Sequence, residues 1–194
     1  PPSKPKTERL MQLADLVVVT GSQANVRAGY SSGTPALGVG AGNVVSIVDE
    51  TADIADAAAK IAASKTFDNA TSCSSENAVI AVDAVYDKLV AALAAEGGYC
   101  LDAAQTAHLE GIHWHNGKLT SKLLAKDIDV VLAETGFAGT APDNTSFLVA
   151  PQSEFGPDHP MTGEKMSRFL ALHRAGDFDE AMEKAVAIQN HMGA

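Results

Sequence analysis

The sequence predicts an α/β fold: a mostly parallel sheet in three layers, with helices on both faces. Three observations carry this. Short valine-rich runs alternate with longer stretches of helical periodicity, the pattern of βαβ units. Those runs are continuously apolar, as strands covered on both faces require. The chain also has 16 glycines in 194 residues and only 5% aromatics, which suits an α/β enzyme better than a disulfide-rich or fibrous protein.

The elements follow in order. Residues 16–20 (LVVVT) read as a strand covered on both faces. Gly21-Ser22 breaks it, and Ser22 is a fitting N-cap for a helix running toward Tyr30. Gly33-Thr34-Pro35 closes that unit; residues 36–39 and 44–48 read as two further strands, the second buried. A helix then opens at Thr51 or Asp53, with Ile54, Ala58 and Ile61 on one face. Residues 78–82 make a strand and 85–96 a helix that Gly97-Gly98 stops. Between Leu101 and Gly136 the pattern gives short helices and one strand at 112–115. Strands follow at 147–150 and 169–173, and then a helix over 177–190 with Phe178, Met182 and Val186 at helical spacing. Both ends read as cut, which predicts a domain excerpt.

Composition narrows the function. The 46% apolar content is enough for a real core, and the net charge of −10 argues against nucleic acid or an anionic membrane surface as the main partner. No apolar run reaches ~18 residues, and no signal peptide is visible in the polar, proline-rich start. Two cysteines make no disulfide framework, so a reducing cytoplasm is expected.

The stretch 64–77, SKTFDNATSCSSEN, is rich in small polar residues around one thiol, Cys73. A structural cysteine usually sits among apolar neighbours; this one is flanked by serines. By composition alone a reactive thiol and an inert surface thiol are equally good readings. Cys100, after a helix stop, reads as inert. The run 38–43, GVGAGN, has three glycines after a short strand, but Asn43 stands where a dinucleotide fingerprint needs glycine, so a close backbone approach is the better meaning. His108, His113 and His115 lack metal-site context, so they read as solvated or structural rather than as part of a Cys-His hydrolase, and no metal is expected. His159 is near enough in sequence to Glu164 to line a substrate mouth.

With these residues in view, VTGSQ (19–23), SSGTPALGVGAGN (31–43), DETADI (49–54) and SKTFDNATSC (64–73) together resemble the coenzyme A-acylating branch of the aldehyde dehydrogenase superfamily, including the acylating acetaldehyde, succinate-semialdehyde and sulfoacetaldehyde enzymes. The resemblance runs over essentially the whole chain, and the family's own chain is more than twice as long. It implies that residues 1–37 are the tail of a coenzyme-binding domain and 38–194 a truncated catalytic domain. It implies Cys73 as the catalytic nucleophile and Gly21, Ser22, Gly38 and Glu164 as the coenzyme-side positions. Gly21 and Ser22 match the turn before a helix N-terminus that meets the coenzyme diphosphate, where free N–H groups attract anions. Glu164 matches the ribose-binding glutamate, although Gly163 and Arg168 replace a histidine and a proline common in acylating relatives. Hydrolytic relatives carry a water-activating glutamate where this chain has Gly38.

The implied activity is NAD- or NADP-dependent oxidation of a small aldehyde to an acyl-CoA, with coenzyme A as co-substrate, in a cytoplasmic homo-oligomer, and with this chain alone inactive. Two rivals remain: an ordinary aldehyde dehydrogenase releasing the free acid, and a catalytically silent domain with a redox-sensitive thiol.

Overall fold

The computed structural model describes residues 3–40 and 42–192. Pro1, Pro2, Ala41 of the 38–43 loop, and Gly193-Ala194 lie outside the described residues. The chain divides into two compact units, the boundary along the sequence lying between Gly42 and Asn43.

The first unit holds helix α1 (Lys4–Leu13), strand β1 (Val17–Thr20), helix α2 (Gln23–Tyr30) and strand β2 (Ala36–Val39). The sequence reading missed α1: its start is polar and carries a proline, which the first helical turn tolerates because no N–H is needed there. β1 and β2 run parallel, with Val19 opposite Gly38. The expectation that β1 is covered on both faces is not met within this unit: Val17 is buried but Val18 is 68% exposed.

The second unit contains β3 (Val45–Val48), α3 (Ile54–Thr66), β4 (Ala78–Val82), α4 (Asp83–Ala95), β5 (Gly98–Cys100), α5 (Ala103–His113), a small hairpin of β6 (Trp114–His115) and β7 (Lys118–Leu119), α6 (Ile128–Thr135), β8 (Phe147–Gln152), β9 (Phe169–Ala175) and α7 (Phe178–Met192). The sheet order is β3-β4-β9-β8-β5, and every neighbouring pair is parallel. All five residues of β4 and all of β9 but Arg174 are buried, so helices must cover both faces of the sheet centre. One core layer joins these strands to α3, α4 and α7, and another packs Leu109, Val131 and Phe137 against Leu148 and Phe169. No helix of the described residues is long and apolar enough to cross a membrane.

Local chemistry explains most boundaries and several corrections. Asp53, not Thr51, caps α3: its Oδ1 accepts from the N–H groups of Ala55 and Asp56 at 3.1 Å, whereas the Thr51 hydroxyl turns back to Asp49. β3 was expected to be buried, but it is an edge strand in which only Val48 is fully covered. Ile112 and His113, expected in a strand, end α5, whose start is set by a capping box of Asp102 and Gln105; only Trp114–His115 is strand. Phe178, Met182 and Val186 do not face the core. They are 47%, 42% and 50% exposed, and the buried stripe of α7 is Ala181, Ala185 and Ile188. The small alanines let the helix lie close on the sheet.

Candidate active site

Cys73 lies in the connection from α3 to β4, and each part of that connection is anchored separately. α3 gives way to a short 3-10 turn (Phe67–Ala70) in which Asp68, Asn69 and Ala70 have φ of 46°, 52° and 57°. Three successive non-glycine residues in the left-handed region cost roughly 1 kcal/mol or more each, so the surroundings must hold them. Asn69 supplies the hold: its Oδ1 accepts from Arg168 Nε at 2.6 Å, and its Nδ2 donates to Asp127 Oδ1 at 3.0 Å. Thr71 closes the segment, its hydroxyl donating to the Asp68 carbonyl at 2.7 Å.

The thiol follows in a tight turn. Ser75 N–H donates to the Ser72 carbonyl at 3.0 Å, and the Ser72 and Ser74 hydroxyls lie 2.9 Å apart. Cys73 at the apex is exposed, and among the described residues its own N–H has no acceptor. Such a group can hold negative charge developing on an oxygen bound beside the sulfur. Cys100, in β5, is half-buried, and burial pushes its thiol up from the ordinary range.

The exit of the turn is pinned from within the fold. Lys65, fully buried, donates to the Glu76 carbonyl at 2.9 Å, with the Ser75 hydroxyl at 3.5 Å. Asn77 N–H donates to the Val44 carbonyl at 2.9 Å, and its side-chain oxygen accepts from Lys165 N–H at 3.0 Å. That last bond ties the thiol connection to the segment carrying Glu164.

Glu164 is half-buried and lines a cavity of about 180 Å³ with Trp114, Leu119, Pro160, Gly163 and His191. Burial raises its pKa from the ordinary carboxylate value, and the charge of Lys65 partly offsets this. The next residue, Lys165, is fully buried and donates to the carbonyls of Met161 and Gly163 at 2.7 and 2.9 Å. Burial depresses its pKa well below the lysine range, with the nearby Lys65 charge adding to the effect. A neutral amine has two N–H donors, which these two carbonyls satisfy. His113, also buried, faces the Lys165 carbonyl with Nε2 at 2.7 Å. Nε2 must therefore carry the proton, which leaves Nδ1 without a partner among the described residues. Burial lowers the His113 pKa to about 4.

His108 and His115 are not joined to this network, and among the described residues no three His, Cys, Asp or Glu side chains are placed to hold a metal. His159, expected to line a substrate mouth, faces Glu154 at 3.3 Å.

Gly21, Ser22 and Gly38 lie in the first unit. Gly21 has φ +117°, a conformation that suits glycine, and its N–H donates to the Val39 carbonyl at 3.2 Å. The Ser22 side chain caps α2 by accepting from Asn25 N–H, while the N–H groups of Gln23 and Ala24 have no acceptor among the described residues. Free N–H groups at a helix N-terminus attract anions in general. Gly38 donates its N–H to the Tyr30 hydroxyl at 3.0 Å. A Cβ there would lie 2.6 Å from Val26 Cγ1 and 2.9 Å from Tyr30 Cε2. The position thus excludes a side chain, which is the close approach expected from the glycine-rich run.

Sequence reasoning missed Lys65, Asn69, Lys165 and the anchoring role of Arg168. One signal was present: Ala58, Ile61, Ala62 and Lys65 share helical spacing, so Lys65 continues the buried stripe of α3.

No family model matches the chain. It is 48% identical to the acylating sulfoacetaldehyde dehydrogenase of Cupriavidus necator over 194 residues, which is all of this chain and 39% of that protein. Among solved structures, an acetylating aldehyde dehydrogenase from Geobacillus thermoglucosidasius superposes with a TM-score of 0.93 at 36% identity, over 99% of this chain and 42% of that one. A Rhodopseudomonas palustris propionaldehyde dehydrogenase, solved with CoA bound and a cysteine acylated, gives 0.85 at 28% identity over 97% and 43%. The chain spans about two fifths of the length of the curated relative from Cupriavidus necator.

Proposed function

We propose that the whole protein, of which this chain of the acylating branch of the aldehyde dehydrogenases is a part, oxidises a small aldehyde, of the sulfoacetaldehyde, succinate-semialdehyde or acetaldehyde type, to its acyl-CoA through a thioester on Cys73. Residues 1–37 then end a coenzyme-binding domain, and 38–194 belong to a truncated catalytic domain, although β2 with Gly38 packs in the first unit. The observation that carries the reading is an exposed thiol at the apex of an anchored turn, whose own N–H has no acceptor among the described residues.

In this mechanism the Cys73 thiolate attacks the aldehyde carbon; a C–S bond forms and the carbonyl π pair moves onto oxygen, where the Cys73 N–H receives it. NAD or NADP would supply the hydride acceptor; Gly21, Ser22 and the α2 N-terminus of the first unit would hold its diphosphate, and Glu164 of the second unit would accept from its ribose. Collapse of the oxyanion restores the carbonyl as a thioester on Cys73. The thiolate of coenzyme A then attacks that carbon, and the Cys73 thiolate leaves. Position 38 supports acyl transfer over hydrolysis, because it carries no carboxylate and its packing admits none. General-base assistance is typically worth ~100- to 10,000-fold, so the thioester waits for a better nucleophile than water. The assignment includes action on small molecules rather than nucleic acid or membranes, and a homo-oligomer in the cytoplasm; the net charge of −10 and the two free cysteines support the first and the last.

The test is a burst experiment on the full-length protein. Aldehyde and coenzyme without CoA should give about one reduced coenzyme per site and stall, and added CoA should restart turnover. Cys73→Ser should abolish the burst while Cys100→Ser keeps it. Steady formation of free acid without CoA would refute the acylating reading, and an intact burst in Cys73→Ser would refute the nucleophile.

A further inference from the structure

Lys65 has no part in the chemistry above, yet it is among the largest fully buried side chains of the fold. Its amine reaches from the last turn of α3 to the Glu76 carbonyl, spanning the whole connection that carries Cys73. Three further observations converge on it. The Ser75 hydroxyl, two residues after the thiol, is its second neighbour. The carboxylates of Glu76 and Glu164 both act on it electrostatically, and Lys65 in turn acts on Glu164. Glu76 Oε2 is buried without a hydrogen-bond partner among the described residues, and its carboxylate acts on the Lys65 amine through space.

We propose that Lys65 is a positioning residue for this reaction: one buried amine fixes the exit of the Cys73 turn, whose next residue, Asn77, bonds the backbone beside Glu164. The inference rests on the assignment of Cys73 as nucleophile. A buried, hydrogen-bonded cation does this better than a neutral side chain, because a charge-assisted bond is roughly twice as strong as a neutral one. Orientation then has a direct kinetic weight, since a displacement of about 1 Å at reacting groups can lower the rate on the order of 100-fold. The titratable groups that act on Lys65 or are acted on by it are Glu76, Glu164, Lys165 and His113. Burial brings the Lys65 amine down to about 7, with the two glutamates working against that fall. Its hold should therefore weaken as the pH rises through neutrality.

The experiment uses the full-length protein with Lys65→Met and Lys65→Arg, each checked for folding by urea denaturation. The unmodified protein and Cys73→Ser serve as controls, so failure of the nucleophile assignment shows as activity in Cys73→Ser and is not confused with failure here. In Lys65→Met, kcat should fall on the order of 10- to 100-fold and KM for the coenzyme should rise. In Lys65→Arg much of kcat should return, and the inflection near pH 7 should disappear because a guanidinium stays charged. If Lys65→Met does not fold, Lys65→Arg decides by its pH profile. Variants that fold with kcat, KM and pH profile within about twofold of the parent overturn the proposal. So does failure of both to fold, because Lys65 would then serve the fold as a whole.

Discussion

Acid should loosen this chain at two buried histidines, and the size of the effect can be worked out. His113 and His173 are 0% and 2% exposed, and burial brings each down from 6.5 to about 4. Between pH 6.5 and 4 the unfolded chain therefore binds more protons than the folded one. Their stability contribution is complete above pH 6.5 and is lost as the pH falls toward 4. At pH 5, about 1.5 pH units into that window, each histidine removes about 2 kcal/mol at roughly 1.4 kcal/mol per unit, so about 4 kcal/mol in all. Lys165, held well below the lysine range, acts in the same direction; Glu164, raised by burial, gives a smaller opposing gain. Against a typical stability of ~5–15 kcal/mol this is a large fraction. Urea denaturation of the chain at pH 7 and pH 5 measures it: with a slope near 2 kcal/mol per molar, the midpoint should drop by about 2 M. His113→Gln preserves a donor toward the Lys165 carbonyl without titrating, and should remove close to half of the drop. Equal midpoints at the two pH values, or a drop unchanged in His113→Gln, would refute the reasoning.

Two further outcomes follow from the packing. Gly38→Glu should not convert the protein into a hydrolase; its Cβ meets Val26 and Tyr30, and overpacking of this kind costs about 1–3 kcal/mol, visible as a lower melting temperature of the first unit. A stable variant that releases free acid would contradict this. Arg168→Leu should cost about 1–3 kcal/mol by leaving Asn69 Oδ1 without its donor. Asn69→Gly, made in that background, should recover part of the loss because glycine adopts the left-handed conformation freely. An unchanged melting temperature in Arg168→Leu would mean that the strained segment is held by other contacts.

The fold was legible where periodicity and caps agree. The β2 and β4 runs, the Ser22 cap and the stop at Gly97 all follow from short-range rules that tertiary packing did not override. The three-residue β5 was too short to carry a period, and α1 has no side-chain cap to announce it. The face of α7 was misread because large apolar residues attract attention, whereas two alanines make the close contact. At the candidate site, the polar surroundings of Cys73 fit the exposed turn in which it sits. The buried network beneath it was not legible, since nothing in composition says that Lys65 and Lys165 will be enclosed. Their burial depends on backbone carbonyls as acceptors, that of Glu76 for Lys65 and those of the neighbouring Met161 and Gly163 for Lys165.

The order of the sheet has a consequence for how the molecule is made. β9, the last strand along the described chain, is inserted between β4 and β8, which precede it by some ninety and twenty residues. During synthesis β4 emerges early with one edge paired to β3 and the other open. That edge stays unsatisfied until the ribosome has released Ala175. Long-range parallel pairing of this kind is slow and leaves apolar strand edges exposed in the meantime. Two anchors of the thiol connection, Arg168 and the Lys165 amide, arrive in the same late segment. The nascent protein thus acquires an ordered Cys73 turn only when its sheet closes, so the thiol is set in place together with the rest of the core.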